Sequence, residues 1–427
     1  MIKIYDMETL EEREILFRGG SGADVSAPVA EILRAVQERG DAALREYTLR
    51  FDGAAPDALA VTAEEVDQAA AQVEPAFLAV LEEAAEHIRA YHARQKRESF
   101  VMTEREGVVL GQRIIPLARV GIYVPGGTAA YPSTVLMNAI PARIAGVGEI
   151  IMVTPPGRDG AVNPHILAAA KIAGVTRIYK VGGAQAVAAL AYGTGTIPQV
   201  DKIVGPGNAY VAEAKRQVFG RVNIDMIAGP SEVLVLADGR SNPAWVAADL
   251  LSQAEHDRMA AAVLVTDSRP LAEAVAHGLG RQLAALPRAE IARASLEANG
   301  KLIVCRDLRE GIAVANRIAP EHLELCVDNP FDYLGEIQNA GSVFLGRYNP
   351  EPMGDYFAGP NHTLPTMGTA RFYSPLSVDD FVKKSQFSYY TRDALARDYR
   401  KVSLFARKEG LDAHARAVDI RFEGGEA

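Results

Sequence analysis

The chain has 427 residues, of which 45 are lysine or arginine and 54 are aspartate or glutamate, so its formal net charge is −9. Its length suits two or three domains, and 48% hydrophobic with 23% charged residues is typical of a soluble globular chain rather than a disordered one. The acidic balance argues against a nucleic-acid partner, and no uninterrupted apolar stretch is long enough for a membrane helix.

The first hundred residues predict helices. Residues 1–18 mix acidic, basic and apolar side chains, which is not the pattern of a signal peptide. Residues 24–47 and 63–95 place apolar side chains three to four positions apart with charged residues between them. Two amphipathic helices are therefore expected here.

From about residue 107, short β-rich runs alternate with helical stretches. The predicted strands are 119–124, 149–154, 177–181, 201–204, 232–237, 260–266, 301–305 and 341–345. The later helix candidates are 242–255, 269–284, 288–299 and 307–317. This alternation predicts an α/β protein with mostly parallel sheets, in two Rossmann-like, incompletely doubly wound units.

One unit is expected to be inserted in the other. The predicted division is 1–122 with 233–375 for the larger unit, 123–232 for the inserted unit and 376–427 for a helical tail. Within the tail, residues 376–408 and 411–418 predict helices that are interrupted at Gly410. A tail this short cannot bury a core alone, so it must dock on its own body or on a partner's.

Two groups of polar residues are candidates for a functional site, one as metal ligands and one as a functional loop. Gln253 and His256 share one helix face at i, i+3 and could reach one ion, although a structural or surface pair is the simpler interpretation. The segment 351–365 holds Asp355 and His362 among glycines and prolines. It is either a functional loop or a surface loop with an Asx-turn.

Two further groups pair a histidine with a carboxylate. Glu321 and His322 are adjacent and would face opposite ways on a strand, but at a strand start they could work together, with the histidine as a general base. Glu409 and His414 lie in the tail, where a plain helix–glycine–helix junction is the alternative. A structural role is predicted for the remaining histidines, which are His87, His92, His165 and His277.

Four glycine-rich clusters occupy 125–128, 182–185, 205–208 and 229–232. The first three follow a predicted strand and precede a helix, where backbone N–H groups and the helix dipole can hold phosphate. None is G-x-G-x-x-G: counted from Gly205 as the first position, the sixth is Tyr210 rather than glycine. A nucleotide at a switch point and ordinary tight turns both stay open as interpretations.

These strings together resemble the histidinol dehydrogenase family along nearly the whole chain. The resemblance rests on the strings at 40–53, 121–137, 181–190, 200–216, 227–233, 253–257, 319–325 and 354–366, and on the terminal E-G-L-D-A-H at 409–414. It implies NAD⁺-dependent oxidation of L-histidinol to L-histidine through the aldehyde, which is the last step of histidine biosynthesis.

The resemblance also implies site residues, cofactors and a partner. One Zn²⁺ per subunit would be held by Gln253, His256, Asp355 and His414. His322 would be the general base, and Glu321 would activate water for the second oxidation. Substrate contacts besides these ligands and His322 would be Ser231, His362 and Glu409, and NAD⁺ contacts would be Tyr123, Gln185 and Asn208. Members are homodimers whose tails reach the partner's site, so Glu409 and His414 would complete the other subunit's site.

Other interpretations remain at this stage. The nearest is a paralogous zinc-dependent NAD⁺ dehydrogenase acting on another small alcohol, for instance a sulfonated diol. A zinc hydrolase would give the glycine clusters no role and lacks H-E-x-x-H, and a non-catalytic binding protein leaves the ionisable groups unexplained. Cys305 and Cys326 resemble small buried apolar residues, which disfavours a covalent thiohemiacetal route and fits a reducing cytoplasm.

Overall fold

The computed structural model describes residues 2–16, 24–126 and 130–423. The chain divides into two compact units, Met1–Lys96 with Leu117–Phe381 and Arg97–Pro116 with Val382–Ala427. No helix in the described ranges is long and apolar enough to cross a membrane.

The strands alternate with helices along most of the chain. The strands are β1 (Lys3–Asp6), β2 (Phe100–Met102), β3 (Val108–Pro116), β4 (Arg119–Tyr123), β5 (Glu149–Thr154), β6 (Arg177–Lys180), β7 (Lys202–Val204), β8 (Asn223–Ile224), β9 (Glu232–Ala237), β10 (Ala261–Thr266), β11 (Lys301–Val304), β12 (His322–Cys326), β13 (Ser342–Leu345) and β14 (Val382–Tyr390). The α-helices are α1 (Glu12–Leu16), α2 (Ser26–Arg39), α3 (Asp41–Asp52), α4 (Ala63–Gln72), α5 (Pro75–Ala93), α6 (Pro132–Ala145), α7 (Pro164–Ala173), α8 (Gly183–Tyr192), α9 (Ala209–Val218), α10 (Pro243–Ala254), α11 (Arg269–Leu283), α12 (Ala289–Asn299), α13 (Leu308–Ile318), α14 (Phe331–Leu334), α15 (Pro352–Tyr356), α16 (Arg392–Lys408) and α17 (Asp412–Asp419).

The N-terminal helices are more numerous than predicted. The expected helix over 24–47 is broken into α2 and α3 at Gly40, whose φ of 53° ends the first helix. The expected helix over 63–95 is α4 and α5, because Pro75 cannot continue a helix and instead begins the next one. The apolar spacing is continuous through both breaks, so the periodicity alone did not reveal them.

The first unit contains a parallel sheet of five strands in the order β6-β5-β4-β7-β8. The chain starts in the middle of the sheet at β4, moves outward to β6, and then returns to β7 on the other side. A parallel sheet of this order has a switch point between β4 and β7, where the carboxyl ends of the strands border a crevice. Helix α8 packs its alanines and Leu190 against this sheet in one buried cluster.

A second parallel sheet of the first unit has six strands in the order β1-β11-β10-β9-β12-β13. Its switch point lies between β9 and β12, where His322 pairs with Val233. Helix α10 follows β9 and runs back along the sheet, so its carboxyl end, with Gln253, returns to the amino ends of the strands. The two sheets confirm the α/β class.

In the second unit, β14 pairs with β3 over its whole length in an antiparallel sheet of order β14-β3-β2. The prediction of one helix over 376–408 is therefore wrong in its first half: Val378–Phe381 is a 3₁₀ turn and β14 follows it. Its strand partner is about 270 residues earlier in the sequence, which no local pattern reveals. The predicted break at Gly410, with φ 77°, is confirmed between α16 and α17. The division into 1–122 with 233–375, 123–232 and 376–427 stays a prediction.

Candidate active site

Glu321 and His322 lie at the amino end of β12, beside the amino end of β9. The His322 Nδ1 lies 2.9 Å from the carbonyl oxygen of Glu232, and the Glu321 Oε2 accepts the N–H of Glu232 at 2.8 Å. The carbonyl can only accept, so Nδ1 carries the proton and donates it, and Nε2 is left as the basic nitrogen. Glu321 precedes the first pleated residue, so both side chains can serve one site despite being neighbours.

The segment after β13 brings a second group of side chains to His322. Asp355 Oδ1 lies 4.0 Å from His322 Nε2 and 3.6 Å from His362 Nδ1. Glu351 Oε1 lies 3.5 Å from His322 Nε2. The predicted residues Glu321, His322, Asp355 and His362 are thus brought together.

Glu351 was not predicted as a site residue, although it opens the segment that was singled out. It precedes Asp355 by four residues, one turn of the short helix α15, so both carboxylates point to the same side. Its backbone N–H donates to Glu324 Oε1 at 2.7 Å, which fixes the start of the loop to β12. The i, i+4 spacing of the two acids was the available signal.

Burial controls the protonation of this group. Burial lowers the pKa of His322 and of His362, so both imidazoles favour the neutral form. Burial, reinforced by the charges of Glu232 and Asp355, raises the pKa of Glu321 well above its usual value. Burial and the Asp355 charge raise the pKa of Glu351 to about 10. Several carboxyl groups are therefore buried close together while the two imidazoles carry no positive charge to offset them. A bound cation would supply that positive charge.

The residues present fit a zinc ion. Gln253 is 1% exposed, and within the described ranges its Oε1 is buried without a hydrogen-bond partner, a cost that a metal ion would remove. His256 follows one turn later and borders a cleft of about 390 Å³ with Tyr131 and Tyr356. Imidazole, carboxylate and amide oxygen are donors that suit Zn²⁺. A second close group, His322, Glu351 and Asp355, has donor atoms within 4.8 Å of one another and shares Asp355 with the predicted ligands.

The predicted cofactor contacts lie around the switch point of the five-stranded sheet. Tyr123 ends β4, and its hydroxyl oxygen accepts the N–H of Gly183 at 3.0 Å. Gln185 lies in the first turn of α8 and is 1% exposed. Asn208 is the N-cap of α9. A switch point at the carboxyl ends of the strands is where an open α/β sheet generally binds a nucleotide. Gly127 and Thr128 of the first glycine cluster lie outside the described residues.

One contact of the first unit ties α6, which follows β4, to the histidine group: Thr134 Oγ1 lies 3.4 Å from His362 Nε2. Thr134 was not predicted, and only the fold reveals it.

Ser231 directly precedes β9 and is half-buried, and its carbonyl oxygen accepts the N–H of Ala261 at 3.0 Å. Glu409 and His414 belong to the second unit, where Glu409 follows α16, His414 lies on α17, and both are exposed.

Neither cysteine has the exposure or the lowered pKa of a nucleophilic thiol. Cys305 and Cys326 are both buried and unpaired. Burial and nearby carboxylates raise the pKa of the Cys305 thiol to about 12, and burial raises that of Cys326 as well. Since the thiolate is the reactive form, these thiols agree with the prediction against covalent catalysis.

The chain is similar to a family model and to named proteins over nearly its whole length. The family model described as histidinol dehydrogenase matches residues 18–422. A protein of Listeria monocytogenes named histidinol dehydrogenase is 55% identical over 97% of both chains, and one of Geobacter metallireducens with the same name is 56% identical over 98% of this chain and 97% of its own. The crystal structure of histidinol dehydrogenase from Elizabethkingia anophelis superposes with a TM-score of 0.94 at 40% identity, covering 99% of this chain and 98% of that one.

Proposed function

The chain belongs to the histidinol dehydrogenase family, and from this premise we propose that it oxidises L-histidinol to L-histidine through L-histidinaldehyde. The reaction removes four electrons, consumes two NAD⁺ and completes histidine biosynthesis. The observation that carries the proposal is the buried His322, whose Nδ1 is held by the Glu232 carbonyl and whose Nε2 faces Asp355.

The proposed metal ligands are Gln253, His256 and Asp355 of one subunit with His414 of its partner. When bound, Zn²⁺ would orient the imidazole and amine of histidinol, and NAD⁺ would accept the hydride of each oxidation. Support comes from the buried Gln253 Oε1, which has no hydrogen-bond partner among the described residues, and from the carboxyl groups of Glu321, Glu351 and Asp355 that lie within 4.0 Å of the His322 ring nitrogens.

His322 is the proposed general base. Its Nε2 is the nitrogen left unprotonated, and within the described residues it has no hydrogen-bond partner. A neutral imidazole in this position can take the proton of the substrate hydroxyl while the hydride leaves the same carbon. The Glu232 carbonyl holds the ring in the required tautomer and stabilises the imidazolium that forms.

Glu321 is proposed to activate the water that adds to the aldehyde before the second oxidation. It is held by the N–H of Glu232 at 2.8 Å, so one carboxylate oxygen is fixed and the other can face a water molecule. Burial raises the pKa of Glu321 most, the charges of Glu232 and Asp355 raise it further, and a cation at Asp355 would offset this second contribution. Ser231 and His362 border this place and are proposed substrate contacts, as is the partner's Glu409.

The working state is proposed to be a homodimer with shared sites. The second unit exposes large apolar side chains, including Leu404 at 60% and Phe405 at 69%, on the helix that leads to Glu409. An exposed apolar face of this kind is typical of a surface that another chain covers. The two buried, unpaired cysteines suit a reducing compartment, and we propose the cytoplasm.

A substrate panel separates this function from its nearest alternative. The purified protein with Zn²⁺ and NAD⁺ should form NADH with L-histidinol and far less with other small alcohols, sulfonated diols included. Preferred turnover of another alcohol would replace the proposed substrate. The relatives compared above support histidinol and give no support to the alternative.

A further inference from the structure

A fully buried ion pair contacts the first residue of the loop 205–208, which follows β7. The ammonium of Lys215, on α9, contacts the carboxylate of Asp225, which lies just after β8, and their side chains are only 3% and 1% exposed. Both side chains also form hydrogen bonds with the backbone of the same residue, Gly205. The Gly205 N–H donates to Asp225 Oδ2 at 2.7 Å, and the Gly205 carbonyl accepts from Lys215 Nζ at 2.9 Å.

Fold stability alone does not account for such a pair. Removing two charges from water is expensive, and apolar residues of similar volume are often as stabilising as a buried ion pair. What the pair adds is a fixed position for Gly205, because both polar groups of that residue are bound. The second carboxylate oxygen of Asp225 also accepts the N–H of Met226 at 2.6 Å, so the pair is itself anchored.

Gly205 needs that anchoring because its backbone is unusual. Its φ is +110°, and a Cβ added there would lie 2.2 Å from the carbonyl oxygen of Tyr123. Gly205 therefore presses against the end of β4 at the switch point. The loop continues to Asn208, whose Oδ1 caps α9 by accepting the N–H groups of Tyr210 and Val211 at 3.0 and 3.1 Å. The position of Gly205 thus sets the distance between Tyr123 and Asn208.

We propose that Lys215 and Asp225 form a positioning pair that sets the affinity for NAD⁺ by fixing the loop 205–208 against the end of β4. The inference rests on the proposed function, in which Tyr123 and Asn208 contact the cofactor. Neither charge needs to touch NAD⁺, because the pair acts through the Gly205 backbone. Loss of the pair weakens cofactor binding and leaves the histidinol site unchanged.

The test compares two lysine–aspartate pairs, each with a buried lysine, near the two ends of β7. The double variant Lys215→Met/Asp225→Asn removes both charges and the hydrogen bond from Lys215 to the Gly205 carbonyl. It also leaves one amide oxygen as acceptor, where the carboxylate serves the N–H groups of Gly205 and Met226 with two oxygens. The control is Lys202→Met/Asp380→Asn, which removes another lysine–aspartate pair at 2.8 Å, with side chains 5% and 27% exposed, located where β7 begins rather than where it ends. Isothermal titration calorimetry with NAD⁺ measures the Kd of each folded variant.

The first variant should raise the Kd and the KM for NAD⁺ by roughly tenfold, a factor typical of one lost hydrogen bond to a charged group. Its kcat and its KM for histidinol should stay within about twofold of the unaltered enzyme, as should every constant of the control. Unchanged NAD⁺ affinity in the first variant, or an equal loss in the control, would overturn the inference.

A second variant covers the case in which the double variant does not fold. Asp225→Asn is isosteric, but its single amide oxygen can accept from only one of the Gly205 and Met226 N–H groups, and the Lys215 ammonium loses its counter-ion, so we expect the Kd for NAD⁺ to rise about threefold. Unchanged affinity in this variant would equally contradict the inference. Failure of the unaltered protein to bind NAD⁺ would instead overturn the proposed function, and this inference with it.

Discussion

At the scale of single residues, the proposed chemistry depends on His322. A histidine buried among carboxyl groups and hydrogen-bonded through Nδ1 to a carbonyl is a base with a defined tautomer. The sequence predicts a histidine for this task, but the pair Glu321–His322 alone does not show that both side chains face one site. Its position at the start of β12, next to Asp355, explains why both neighbours can serve one site.

His322→Asn should lower kcat by roughly 10²–10⁴-fold, the usual contribution of a general base, and leave the zinc content unchanged. Asparagine keeps a polar group near the Glu232 carbonyl but cannot take a proton. The measurement pairs steady-state kinetics with metal analysis, and the exposed His277→Asn serves as the control. If zinc were lost in proportion to activity, His322 would be a metal ligand or a structural residue rather than the base.

The residue scale also shows what sequence reasoning missed. Glu351, Glu232 and Thr134 contact the predicted site residues. Of these, only Glu351 had a sequence signal, its four-residue spacing from Asp355, and the other two stand in no pattern that indicates chemistry. Glu232 contacts His322 through its backbone carbonyl, and a pattern of side chains in the sequence does not reveal a backbone contact. Thr134 becomes a neighbour of His362 only after two distant segments pack together.

At the scale of elements, helix α5 holds the active-site segment in place. His87 Nδ1 lies 2.8 Å from the carbonyl oxygen of Phe357, and His92 Nε2 lies 3.4 Å from Asn361 Nδ2. His92 also contacts Gln95 Oε1 through Nδ1 at 2.7 Å. The structural role predicted for His87 and His92 is therefore support of the loop between Asp355 and His362.

His92 makes stability depend on pH. Burial lowers its pKa in the folded state below the ordinary value of 6.5, so the unfolded chain binds the proton more readily. The contribution of the buried neutral ring is complete above that value and is lost as the pH falls through it. His92→Gln should show a smaller fall in urea midpoint than the unaltered protein between about pH 7.5 and about pH 5.5.

The exposed His277→Gln is the matched control for this comparison, and it should show the same fall as the unaltered protein. An identical pH dependence in all three proteins would show that His92 is not held neutral by burial.

Strands were predictable where their sequences are continuously apolar, as in β5, β9 and β10. β12 was not predicted as a strand because Glu321, His322 and Glu324 interrupt its apolar run, although each is buried and bound by a neighbouring segment. β14 was misread as helix because its partner β3 is remote in sequence. The proposed catalytic residues Glu321 and His322 also lie at the amino ends of the strands, opposite to the edge that α/β sheets generally use for ligands.

At the scale of the whole molecule, activity should depend on a removable metal. Prolonged chelation should abolish turnover, and added Zn²⁺ should restore it, because Gln253, His256 and Asp355 would otherwise be left without the cation that balances them. Metal analysis before and after treatment verifies the removal. Full activity in metal-free protein would contradict the proposed ligand set.

Shared sites predict complementation between inactive subunits. His256→Ala and His414→Ala chains should each be inactive, but a mixed dimer would have one intact site if the partner's His414 completes it. Random exchange yields mixed dimers in about half of the molecules, so about a quarter of the unaltered activity should return. No recovery after verified subunit exchange would place His414 in the site of its own chain.

The most direct test of the central claim is the stoichiometry of the reaction with L-histidinol. Zinc-loaded protein with excess NAD⁺ should form two NADH per histidinol consumed, with histidine as the product identified by mass spectrometry. One NADH per histidinol with release of the aldehyde, or no NADH at all, would contradict the assignment of a two-step oxidation to His322 and Glu321.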